Sequence, residues 1–208
     1  MTDARYEIAV IGTSWGGLAA LRELVSCLPK DLPLPVVVIQ HRHKLSDGAL
    51  PQLLQDRTSL RVCEVEDKMP MECGSVYVAP ADYHLLVERD YFTLSMEEPI
   101  RYSRPSIDLT FSSAADIFGA KTVGAVLTGA NADGAAGLKR IAERGGAVLV
   151  QEPAMAESPA MPTAAIKAVP SARVMTISAI GKTIGELALL KDTPRASREH
   201  RGAPEANP

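Results

Sequence analysis

The sequence predicts an α/β domain: a doubly wound, mostly parallel sheet with helices on both faces and a β-hairpin at one edge. Three observations carry that prediction. Short runs rich in Val and Ile, at residues 7–11, 35–40, 122–127 and 147–151, are apolar with little alternation, as strands covered on both faces are. Stretches with helical apolar spacing separate them, and strand–helix alternation implies parallel crossovers. Residues 75–96 break the rhythm with a short apolar run and two alternating segments.

Each element has its own signal. The strand at 7–11 leads to a helix over 16–28, where Leu18, Leu21, Leu24, Val25 and Leu28 recur at helical spacing before Pro29. The strand at 35–40 precedes a helix predicted over 45–57, with Ser46 as its N-cap. A strand at 75–78 is followed by the hairpin, segments 84–88 and 91–96 around Arg89-Asp90. The helix over 106–118 follows Pro105, with Ser106 as cap and Gly119 as stop. The helix over 134–144 closes at Gly145-Gly146, and a last helix spans 178–190. With no repeat and no internal linker, residues 1–190 read as one domain. The polar tail 191–208, with three prolines and no periodicity, reads as disordered.

Composition excludes several function classes. Hydrophobic residues make up 46%, which suits a globular chain, and aromatics only 4%, so the core must be aliphatic. A net charge of -3 gives no electrostatic reason to expect nucleic acid or an anionic membrane surface. No run approaches the roughly 20 apolar residues of a membrane span, and the N-terminus lacks a signal-peptide pattern, so membrane insertion is not expected and a cytoplasmic location is. Cys27, Cys63 and Cys73 are odd in number and lack CxxC spacing, which argues against a disulfide framework or a zinc site. No metal or cofactor is expected.

The turn Gly12-Thr13-Ser14-Trp15-Gly16 follows the first strand and opens the first helix. A nucleophilic serine needs such a turn, because small neighbours let the backbone pass close behind it. The free N–H groups of the following helix can then stabilise an oxyanion. Taken alone, the turn reads equally as a structural or phosphate-cradling loop, although GTSWGG fits neither the dinucleotide nor the P-loop fingerprint.

A serine needs a base. Of the four histidines, His200 lies in the tail and His84 opens the hairpin, where a structural role is favoured. His41 comes directly after the strand run ending at Gln40, at the carboxyl edge where ligands gather in open sheets, and is preferred to His43 two residues on. Asp133 closes the loop after the strand at 122–127. It is either an ordinary N-cap of the next helix or the carboxylate that orients His41. Ser, His and Asp at three strand ends make a coherent triad, in an order that differs from the α/β-hydrolases.

At this point the chain resembles a known family. IGTSWGG (residues 11–17), VIQHRH (38–43), VYVAPADYHL (76–85), RPSIDLTF (104–111) and LTGANADGAAGL (127–138) look like the catalytic domain of the chemotaxis protein-glutamate methylesterase CheB. The resemblance covers roughly residues 6 to 190. It implies hydrolysis of glutamate methyl esters on methylated chemoreceptors, and in some members deamidation of glutamines. It places the catalytic residues at Ser14, His41 and Asp133, and the oxyanion donors at the backbone N–H groups of Trp15 and Ala130. Two departures stand out. Trp15 replaces a small residue or threonine, and its indole either narrows the mouth of the site or packs on a neighbouring loop. The loop often written GMGNDG reads GANADG here. Full-length members carry a receiver domain ahead of the esterase. Here the first strand starts near residue 7, so Ser14 is expected to be always accessible or controlled by a separate regulator. A small-molecule carboxylesterase and a non-catalytic interaction module of the same fold are the alternatives.

Overall fold

The computed structural model describes residues 5–44 and 48–191. Seven strands form one wholly parallel sheet: β1 (Ile8–Thr13), β2 (Val36–Gln40), β3 (Arg61–Glu64), β4 (Ser75–Val78), β7 (Thr122–Val126), β8 (Ala147–Gln151) and β9 (Arg173–Met175). β5 (His84–Val87) and β6 (Phe92–Ser95) pair antiparallel as a separate two-stranded sheet. The helices are α1 (Gly17–Ser26), α2 (Leu50–Gln55), α3 (Ile107–Phe118), α4 (Ala135–Glu143), α5 (Ala160–Ala168) and α6 (Ile177–Ala188).

The weak alternation of the strands has a direct cause. Ala9 and Ile11 of β1 face one apolar cluster, with α1 and α6, while Ile8 and Val10 face the other, with α3, α4 and the hairpin. β2 divides in the same way, Val36 and Val38 against Val37 and Ile39. Both pleat faces are therefore buried, and period two leaves no polar trace.

The strand order is β3-β4-β2-β1-β7-β8-β9. From the central β1 the chain first winds outward through β2, then returns to β7 on the other side. The loops after β1, β2 and β7 thus meet at one switch point on the carboxyl edge, where open sheets bind their ligands.

Three elements were not foreseen: β3, β9 and α5. Helix α2 is also shorter than predicted, starting at Leu50 behind Ala49, because Pro51 suits a first turn. The predicted cap Ser46 and the tail beyond Lys191 lie outside the described residues. Among the described residues, no helix is long and apolar enough to cross a membrane.

Candidate active site

β1 ends at Thr13, and the chain turns through Ser14 before α1 begins. Gly16 enters α1 with φ 76°, a left-handed conformation that favours glycine. The turn is held by Thr128, just past β7. The Thr128 carbonyl accepts the Ser14 N–H at 3.0 Å and the Thr13 hydroxyl at 2.8 Å. Its own hydroxyl donates to the Trp15 carbonyl at 2.9 Å, and its N–H donates to Gln151 Oε1 at 2.8 Å. The loop then passes right against the serine: a Cβ on Gly129 would stand 3.0 Å from the Ser14 Cβ and 2.6 Å from Met161 Cε. Among the described residues, the N–H groups of Trp15 and Ala130 have no acceptor. Both residues line an open cleft of about 530 Å³ with Ser14, Gln40, His41 and Glu157.

His41 stands one residue past β2, where its N–H donates to the Thr13 carbonyl at 3.1 Å and carries the ladder one step beyond the strand. Its Nε2 meets Asp133 Oδ2 at 2.8 Å. Asp133 is 1% exposed and accepts four more hydrogen bonds. These come from the N–H groups of Ile107 (2.8 Å), Asp108 (2.9 Å) and Gly134 (3.0 Å) and from the Ser106 hydroxyl (3.2 Å). The cap expected on the following helix is not formed by Asp133, whose side chain serves another helix. α4 starts behind Gly134 with no side-chain cap, whereas Asp133 sits at the N-terminus of α3, whose free N–H groups and positive end favour an anion.

Burial alone would push the Asp133 carboxyl upward. The hydrogen bonds from His41 and from the Asp108 and Ile107 N–H groups outweigh it and hold the pKa below the ordinary carboxylate value. Asp108 goes the other way, because burial and the neighbouring Asp133 charge raise it despite the N–H of Gly137.

An ionised Asp133 only accepts, so His41 Nε2 carries a proton, and in the neutral ring Nδ1 has the lone pair. This reverses the serine-protease template, in which the carboxylate holds Nδ1. Asn131 faces that lone pair with Nδ2 at 3.4 Å, and its Oδ1 is fixed by the Asp133 N–H at 3.1 Å. The Ser14 hydroxyl lies in the same cleft and has no hydrogen-bond partner among the described residues. His41 and Asp133 are thus joined directly, and Ser14 is brought alongside without a bond to His41.

His43 is exposed on the loop, and His200 lies outside the described residues. The Arg42 Nη2 turns away to Glu64 Oε2 (2.6 Å) and the Ala79 carbonyl (2.8 Å). The Trp15 side chain is 66% exposed, so it is not packed under a loop. Thr128, Gln151 and Asn131 were not singled out from sequence. The string LTGANADG contains two of them, but only a long-range contact with Ser14 or His41 gives either a part in the site.

The family described as CheB methylesterase matches residues 9–184. A putative protein-glutamate methylesterase/protein-glutamine glutaminase of Leptospira interrogans is 42% identical over 178 residues, covering 85% of this chain and 92% of that protein. The protein-glutamate methylesterase FrzG of Myxococcus xanthus is 36% identical over 86% of this chain, which spans 54% of FrzG. The crystal structure of the Thermotoga maritima CheB methylesterase catalytic domain superposes with a TM-score of 0.84 at 32% identity, covering 88% of this chain and 98% of that one.

Proposed function

The chain belongs to the CheB methylesterase family, and from that premise we propose that it removes methyl esters from glutamate side chains of chemoreceptors, with Ser14 as nucleophile, His41 as base and Asp133 as the anion that orients it. The observation that carries the reading is the 2.8 Å bond between a buried, ionised Asp133 and Nε2 of His41, which lines a cleft together with Ser14 and with Trp15 and Ala130, whose N–H groups have no acceptor among the described residues.

The reaction proceeds in two halves. Ser14 Oγ attacks the ester carbonyl while His41 Nδ1 takes its proton, and Asp133 stabilises the imidazolium through Nε2. The Trp15 and Ala130 N–H groups receive the oxyanion. His41 then protonates the departing methoxide, methanol leaves, and a water activated by His41 hydrolyses the acyl-enzyme. The same steps with ammonia as leaving group would deamidate a glutamine. An open cleft whose rim includes exposed Trp15, Leu18 and Ala130 suits an ester displayed on a protein surface.

The test is methanol release from a methylated receptor fragment. The natural protein should release it, and Ser14→Ala should not. Hydrolysis of short acyl esters without methanol release from receptor would redirect the assignment to a small-molecule carboxylesterase.

A further inference from the structure

The hairpin braces α3 at three points. Thr110 Oγ1 donates to the Leu85 carbonyl at 2.8 Å, and the Val87 N–H donates to Ser113 Oγ at 3.0 Å. The third point lies at the start of the helix, where His84 Nδ1 accepts the Ser106 N–H at 3.2 Å. His84 and Ser106 are both fully buried. Because Nδ1 accepts, the ring proton is on Nε2, which donates to the Glu98 carbonyl at 3.1 Å. One neutral tautomer therefore satisfies both ring nitrogens. An apolar side chain could fill the volume but would strand a buried N–H.

Ser106 is also where α3 meets the proposed triad. Its hydroxyl donates to Asp133 Oδ1, and the next N–H, from Ile107, lands on Oδ2, the oxygen that receives His41. We infer that His84 is a positioning residue for the reaction: by fixing the Ser106 backbone it sets where α3 holds Asp133, and so where Asp133 presents its oxygen to His41. This rests on the triad reading. It gives the hairpin, which contributes no group to the cleft, a part in catalysis.

Two near-isosteric replacements separate this role from mere packing. In His84→Asn the amide oxygen stands near the Nδ1 position and can still accept the Ser106 N–H. In His84→Gln the amide nitrogen reaches toward the Nε2 position and serves Glu98 instead. Each variant loses one buried hydrogen bond, so both should lower Tm by similar amounts. His84→Asn should keep kcat within about threefold, while His84→Gln should lose about tenfold or more in kcat with KM unchanged, as a displaced catalytic group does. Equal kcat in the two variants would overturn the inference. Should neither fold, the ring nitrogens of His84 can be read by ¹⁵N NMR in the natural protein, where an unprotonated Nδ1 is expected and a protonated one would overturn it. Reaction of a fluorophosphonate with Ser14→Ala tests the triad separately: undiminished labelling there would sink the triad itself, whatever the His84 variants do.

Discussion

His41 and Asp133 meet at 2.8 Å, and Asp133 takes four further hydrogen bonds in a setting that is 1% exposed, whereas the Ser14 hydroxyl has no partner among the described residues. The two arms of the cleft differ because their burial costs differ. A carboxylate can be buried in ionised form only if donors fill its oxygens. The N-terminus of α3, the Ser106 hydroxyl and His41 supply those donors. A serine hydroxyl is neutral and Ser14 is only partly buried, so its side chain carries no comparable burial cost, and what needs fixing is the backbone beneath it. Thr128 does that fixing. One arm is built by completing side-chain hydrogen bonds, the other by clamping a turn and leaving the Ser14 hydroxyl without a partner among the described residues.

Each arm can be perturbed separately. The largest effect should come from Asp133→Asn. An amide donor at Asp133 would favour the wrong imidazole tautomer and leave no lone pair on Nδ1, lowering kcat by about 10³–10⁴. Asp133 titrates below the ordinary carboxyl value in the folded state. The stability it adds is therefore complete above about pH 4 and is lost as pH falls through the folded value. Asp133→Asn should flatten that acid limb in urea melts, and an unchanged limb would refute the assigned shift.

Thr128→Val should come next, with kcat down about tenfold as the Trp15 N–H drifts from the oxyanion. Thr128→Ser should restore most of it, since only the hydroxyl is needed. An effect on KM alone would mean the clamp does not serve the nucleophile arm. The smallest effect belongs to Trp15→Ala. The backbone N–H survives, so kcat and short-ester hydrolysis should hold, while KM for a receptor fragment should rise by about threefold to tenfold as an exposed aromatic contact is lost. Trp15 is the only tryptophan, so intrinsic emission reports its contact with receptor directly.

The central strands were legible because burial on both faces leaves an unbroken Val/Ile signal. β3 and β9 were not: both are short edge strands, only partly buried, and RVCE and RVM carry no such run. α5 was missed because Ala160–Ala168 follows Pro159, contains Pro162 and lacks a capping side chain, although Met161 and Ala165 are buried. Ser14, His41 and Asp133 could be proposed together because each closely follows a strand, which places them on one edge before any distance is known. The partners that tune them could not. The Thr128 clamp bridges 113 residues to Trp15, and His84 reaches Ser106 across 22 through an element that looked peripheral. Local pattern carries position along the chain, while hydrogen-bond completion is decided by contacts that only the fold creates.

In the proposed reaction Ser14 is activated by His41 and Asp133. The most direct measurement of that activation is fluorophosphonate labelling followed by peptide mapping, in the natural protein and in His41→Ala. Modification confined to Ser14, slowed by at least about a hundredfold in His41→Ala, is the predicted result. Labelling elsewhere, or at an unchanged rate without His41, would contradict it.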